Sequence, residues 1–552
     1  TAGASLAFAA PAGFLGDPVV EADTLSITVE TDSAAAPWIQ GLATAGAVLA
    51  ADHLLLDTQG QFGSADARLT TTARATADLS GLPSFVLRAD RFSFTGGEVA
   101  LSAESDLTIE TLNLNAGGSF DLALAQPDAD LTWNVDATAD LGDFTLSKEG
   151  TLALAGDFDV SVGGDVSISA TALSLADGAK VASLKGGDVS LSATNELTLG
   201  AFTASGNLSL SSTAGSVTTT GTLTATDQTV TVNAATKAAL AGIEAGATTL
   251  TAGSLSVSEA LTVSSLTATA TDALSLGAIT STGAVSLTST AGSVTTTGAL
   301  TASGQTVTVN AATDATLAGI AAGATTVTAG SLSGSDVLNV SSLSATATDA
   351  LSLGAITSTG AVSLTSTAGS MTLADLSAAS ADLESAGNLT LSDVAVTEKL
   401  DAKAGTNLAF TAGSTVTGGA VTLTAEEALT LAVLNGGATT LTAGSISGSD
   451  ALTVSSLTAT ASDELSLGAI TATGAVSLTS TADSVTTKGM LTATDQTVTV
   501  DAATDATLAG IAAGATTLTA GSISGSDALT VASLTADATD ALSLGAITAT
   551  GA

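Results

Sequence analysis

The sequence predicts an all-β fold: a right-handed parallel β-helix (β-solenoid) with coils of about 19 residues and an irregular N-terminal cap. Three observations predict it. Twenty residues, Leu-Ser-Leu-Gly-Ala-Ile-Thr-Ser-Thr-Gly-Ala-Val-Ser-Leu-Thr-Ser-Thr-Ala-Gly-Ser, occur at Leu274–Ser293 and again, letter for letter, at Leu351–Ser370, an offset of 77. The motif recurs in degenerate form at Leu197, Leu465 and Leu542, so the chain is an array. Short runs such as Val160-Ser-Val162 and Val166-Ser-Ile168 alternate apolar with hydroxyl-bearing residues, the period of a strand with one buried face. Finally, the interval from Leu351 to Leu465 is 114, which exceeds 77 by 37, close to two coils of 19. Sandwich domains in tandem grow by a whole domain, whereas a solenoid grows by a pair of coils.

The elements follow in chain order. Residues 1–91 read as the cap. All five prolines (Pro11, Pro18, Pro37, Pro83, Pro127), all four arginines, the single His53 and Trp38 fall before residue 130, and nine of eleven Phe before residue 160. An end unit must cover core and strand edges that interior coils cover for one another. Residues 92–196 read as degenerate coils. Residues 197–552 read as the 77-residue repeats, with a longer divergent unit at 351–464 and a repeat cut at Ala552 that continues past the chain end. The absence of proline after Pro127 leaves every backbone N–H free for a continuous ladder. Each 77-residue unit divides into four coils, with strand seeds near Leu274/Leu276, Val285/Leu287, Val307/Val309 and Leu338/Val340, and a further one at Val327. At about 4.8 Å per coil, roughly 24 coils from residue 92 make a rod on the order of 115 Å long. Parallel crossovers of this kind are right-handed.

Composition fits a narrow interior. Hydrophobic residues make up 45% of the chain but aromatic ones only 2%, so the core is filled by Leu, Val, Ile and Ala stacked on themselves. The formal charge of −41 excludes a binder that works by neutralising phosphates and argues against anionic lipid surfaces. No apolar run is long enough for a spanning helix, and a chain without Tyr cannot build the aromatic girdles of a membrane barrel; we expect no membrane insertion. There is no cysteine. The opening, Thr1–Gly16, has no basic stretch and reads as a segment from which any signal peptide has gone.

Catalysis fails on inventory, and no catalytic or cofactor-binding residue is assigned. His53 has no nucleophile motif beside it, the repeats hold few lysines (Lys237, Lys399, Lys403, Lys488) and no arginine, and Glu426-Glu427 is a carboxylate pair without a partner across a cleft. Aspartates recur at turn-like sites: Asp272, Asp349, Asp463 and Asp540 just before the Leu-Ser-Leu-Gly motif, and Asp336, Asp450 and Asp527 in Gly-Ser-Asp. Carboxylates on neighbouring turns supply the oxygens Ca²⁺ takes, which makes these seven the candidate calcium positions. Each type recurs once per repeat unit and no Gly-Gly-x-Gly-x-Asp nonapeptide is present, so turn formation and solubility are their main reading. The threonine pairs Thr288-Ser-Thr290 and Thr306-Val-Thr308 and the run Thr295-Thr296-Thr297 raise the idea of a face that orders water or matches ice. They do not repeat at one coil position, and they read as solvated strand face.

Segments such as Gly283-Ala-Val-Ser-Leu-Thr-Ser-Thr-Ala-Gly-Ser-Val294 and Gly187-Asp-Val-Ser-Leu-Ser-Ala193 resemble the repeats of filamentous-haemagglutinin-type exoproteins and related autotransporter-like adhesins, over residues 95–552. The resemblance implies a secreted β-helix displayed on a bacterial surface and used for attachment, aggregation or matrix building. Its partners would be other copies of itself or surface polysaccharide or protein, and not nucleic acid. The Asn-Pro-Asn-type motif of two-partner secretion domains is absent near the N-terminus. The competing expectation is a cell-envelope lattice or sheath subunit, assembling side by side or head to tail through cations on the aspartates.

Overall fold

The computed structural model describes residues 143–551 apart from 155–158, 177–179 and 184–186, and before residue 143 the strand segments alone. The chain divides into two units, Thr1–Gly283 and Ala284–Ala552, and each is a parallel β-solenoid. About 21 turns of about 19 residues are described, with no helix among them.

One coil of the second unit shows the plan. Val285–Ser289 forms face A, Val294–Thr296 face B and Leu300–Ala302 face C; the chain then turns back so that Val307–Ala311 lies in parallel register on Val285–Ser289. Faces B and C stack likewise, Val294 on Ala315 and Leu300 on Ile320. Alternation explains each strand: in Val285-Ser-Leu-Thr-Ser289 the first, third and fifth residues are buried and the two between them point out. Stacking brings like side chains together, as in Leu287 on Val309 and Val309 on Val327.

Coil length follows directly from the face A registers. Val285 pairs with Val307, Val307 with Thr325, Thr325 with Leu343 and Leu343 with Val362, so the numbering advances by 22, 18, 18 and 19. Four coils therefore make the repeat unit. The longer divergent unit holds six: from Val362 the partners are Ala381, Leu400, Val421, Thr439, Leu457 and Val476. The extra length of this unit is two whole coils, as the interval arithmetic predicts. In the first unit the numbering advances by 22, 23, 19, 22, 18 and 18 between Phe144 and Leu266.

The assignment of strand seeds is corrected in one respect. The four pairs do not occupy equivalent places: Leu274/Leu276 lies on face B, Val285/Leu287 and Val307/Val309 on face A, and Leu338/Val340 on face C. Each coil has three seeds where the sequence reading counts one. The side chains of residues 1–91, His53 included, lie outside the described residues, and with them most of the expected cap.

The core is size-matched along the stack. In the second unit, where the first inward position of face A is Leu the second is Ala, as at Leu343/Ala345 and Leu457/Ala459; where the first is Val or Thr the second is Leu or Val, as at Val362/Leu364 and Thr325/Val327. The volume per coil is thus held nearly constant, which a close-packed interior demands.

Candidate functional site

Face A carries the broadest ordered outer surface, because its five-residue strands expose two side chains per coil and those of faces B and C usually expose one. In the second unit these outward pairs are Ser286/Thr288, Thr308/Asn310, Thr326/Thr328, Ser344/Thr346 and Ser363/Thr365 on five successive coils. A second rank follows at Thr422/Thr424, Thr440/Thr442, Thr458/Thr460 and Ser477/Thr479. The first unit repeats the arrangement, with Ser190/Ser192, Ser209/Ser211, Thr231/Asn233, Thr249/Thr251 and Thr267/Thr269.

The pairs singled out from the sequence share no coil position, as expected; the columns are built from other pairings. The pairs singled out from sequence straddle corners: Thr288 is on face A but Thr290 lies in the next turn, Thr295 and Thr296 belong to face B, and Thr306 precedes the face A strand. Coils of unequal length defeat a search at one fixed period. The signal that finds the columns is the outward pair around the central inward residue, in apolar-Thr-apolar-Thr-Ala.

Four coils of the second unit break the pattern. Asp382/Glu384 and Asp401/Lys403 replace both hydroxyls on the coils that begin at Ala381 and Leu400, within the longer divergent unit, and Asp501 and Asp537 replace one each in Thr499/Asp501 and Thr535/Asp537. Lys403 Nζ meets Glu384 Oε1 on the coil before it at 3.1 Å, and Lys399 Nζ meets Asp401 Oδ2 at 2.8 Å. The hydrogen bond to Asp401, and then that carboxylate's charge, hold the Lys399 ammonium above its ordinary pKa. Both pairs are solvent-exposed, so they set local charge more than stability.

The seven aspartates fall on two different corners. Asp349 and Asp463 lie in the turn from face A to face B, where their backbone N–H groups donate to Gly330 O and Gly444 O at 2.7 Å. Asp272 is placed alike, its N–H on Gly253 O at 2.7 Å, and Asp540 is at the equivalent position. Asp336, Asp450 and Asp527 sit at the corner from face B to face C. Beside them packs the Gly of the next Leu-Ser-Leu-Gly motif: a Cβ on Gly545 would lie 2.7 Å from Asp527 O. Among the described residues, no three His, Cys, Asp or Glu side chains come together to hold a metal ion. Glu426 and Glu427 are exposed at a corner, where Asn407 Nδ2 donates to Glu427 Oε2 at 3.4 Å.

Sequence reasoning also missed the corner devices. Ser366 and Ser480 end face A strands with buried hydroxyls that donate to Asp349 O and Asp463 O of the coil before; Ser212 does the same to Asn195 O. Side-chain ladders run up other corners, from Asp143 through Asp165 and Asp188 to Asn207, each carboxylate accepting from the next backbone N–H.

Residues 186–244 and 263–321 match a family model described as repeats of unknown function (DUF5649). The two stretches begin one repeat unit apart. No curated protein matches the chain, and no solved structure matches it.

Proposed function

We propose that the chain is a structural spacer of a secreted bacterial surface protein, a stalk or fibre in which coil number sets length. The observation that carries this reading is the insertion of two whole coils between Val362 and Val476, with all three faces kept in register. A chain selected for a catalytic pocket has no use for coils that are interchangeable, whereas a spacer is lengthened by them. The resemblance to filamentous-haemagglutinin-type repeats supports a role in attachment, aggregation or matrix building, with other copies or surface polysaccharide as partners.

Cryo-electron microscopy of the purified chain, with and without a calcium chelator, tests the proposal. Straight, separate rods that persist in chelator are the expected result. Rods that join into sheets and fall apart on chelation would replace the spacer with a cation-bridged lattice held by the corner aspartates. Beads on a flexible string would overturn both.

A further inference from the structure

The outer surface of face A has a property that a spacer does not require. In a chain with 52 acidic residues, the outward positions of face A carry no charge over the five coils from Ser286/Thr288 to Ser363/Thr365, and again over the four from Thr422/Thr424 to Ser477/Thr479. Of the acidic residues of those coils, Asp314 opens a face B strand and the others, such as Asp336, Asp349, Asp450 and Asp463, are at the corners. Solubility alone would be served as well by acids on the face.

The face is also a lattice. Parallel coils place equivalent hydroxyls about 4.8 Å apart up the stack, with the amide of Asn310 taking one place in the first rank, and the two columns are separated by two residues of extended chain, roughly 6.7 Å. Five coils make a rank roughly 19 Å long. On face B the outward hydroxyls bond to one another between coils, Thr316 to Ser333 at 3.2 Å and Thr507 to Ser524 at 3.3 Å. The face A columns of this unit make no such bond among the described residues, so their donors and acceptors are open to solvent. Threonine suits this use: its hydroxyl gives one donor and two acceptor lone pairs, and β-branching holds it in one orientation while its methyl confines the water beside it.

We propose that face A binds ice. The two repeats of the array lie close to the oxygen spacings on the surfaces of hexagonal ice, so waters held by one coil are in step with those held by the next. Each water immobilised costs little when it is already part of a lattice. The absence of charge fits this partner, because a carboxylate or ammonium orients water around itself and breaks the array. A polyanionic or polycationic partner would meet no complementary charge on the face. The inference rests on the geometry of face A and does not depend on the spacer reading.

The test uses the full chain, slowly frozen beside a control protein, with the protein content of the recovered ice and the thermal hysteresis of the solution measured. Uptake into ice above the control is expected. A variant with Thr326→Lys, Thr346→Lys, Thr440→Lys and Thr460→Lys on face A should fall to the control level. A second variant, with Thr357→Lys, Thr453→Lys, Thr471→Lys and Thr530→Lys on face C, changes the charge equally and should retain uptake. Circular dichroism confirms that both remain folded. Exclusion of the unaltered chain from ice overturns the proposal. So does uptake that survives the face A substitutions, or equal loss in the face C variant.

Discussion

Single residues in this fold are judged by what lies on the coils above and below. Thr325 and Thr516 occupy the first inward position of face A, between Val and Leu neighbours, and their buried hydroxyls have no hydrogen-bond partner. A hydroxyl stranded in an apolar stack costs its desolvation, whereas an isosteric methyl does not. Thr325→Val should therefore stabilise the chain by about 1 kcal/mol, read as a higher urea midpoint; an unchanged or lower midpoint would show the hydroxyl to be solvated. A second residue-scale prediction concerns the turn that closes face C. Asp227, Gly304 and Asp495 fill the same place in Ala-x-x-Gln turns, where the Gln N–H donates to the Ala carbonyl at 2.9 Å, with φ of 60°, 73° and 59°. That third turn position needs positive φ, which glycine adopts freely and aspartate does not. Asp495→Gly should raise stability by about 1 kcal/mol and Gly304→Asp should lower it by a like amount; equal midpoints in thermal melts would mean that the aspartate side chain repays the strain.

At the scale of the coil, corners decide length. The 22-residue coil from Val285 closes with the four-residue turn Ser303–Thr306, whereas the 18-residue coil from Val307 passes from face C to face A through Gly323 and Ala324 inside one extended segment, Ile320–Ala329. Gly323 lies against the turn before it: its N–H donates to Gln305 O at 2.8 Å, and a Cβ there would stand 2.7 Å from that oxygen. Alternation made the strands legible in the sequence, because burial with period two leaves its mark on every run. The corners were not read from the sequence, since short polar and small connections of two and of four residues look alike at a fixed period; the mark of the longer one, the Gln of Ala-x-x-Gln, gains meaning only once its turn is seen against the coil below. For the same reason the hydroxyl columns of face A were missed while their inward partners were found. The coil is also the natural unit of deletion. Removing residues 381–399 takes out one whole coil step and sets Leu400 where Ala381 was, on Val362. The shortened chain should keep its β-sheet circular dichroism and unfold near the parent midpoint. Removing only residues 381–389 shifts every following strand off its face, and that chain should lose most of its β signal. Similar outcomes for both deletions would mean that register is not what holds the stack.

Across the whole molecule the repeats make stability a sum of neighbour terms and leave charge as the long-range property. With 52 acidic and 11 basic residues the chain carries −41 at neutral pH, and its sequence pI is about 4.1. Apart from the two charged coils that begin at Ala381 and Leu400 and single strand residues such as Asp314, Asp501 and Asp537, the acids of the repeat units lie mainly at corners, so repulsion between copies acts mostly along edges while the faces carry little charge. A surface of neutral hydroxyl ranks with little net charge is one on which copies can pack. Dispersion should therefore depend on the carboxylates being ionised. Lowering the pH protonates them, the net charge falls toward zero near pH 4, and mutual repulsion is lost. Light scattering should show single particles at pH 7 and growing assemblies as the pH approaches 4, reversed on return to neutrality. Salt at pH 7 should move the behaviour in the same direction, because at about 1 M the screening length is about 3 Å, shorter than the spacing between coils. Particles that stay single at pH 4 would show that the faces repel one another through bound water rather than through charge, a result that the ice-uptake measurement on face A would then have to match.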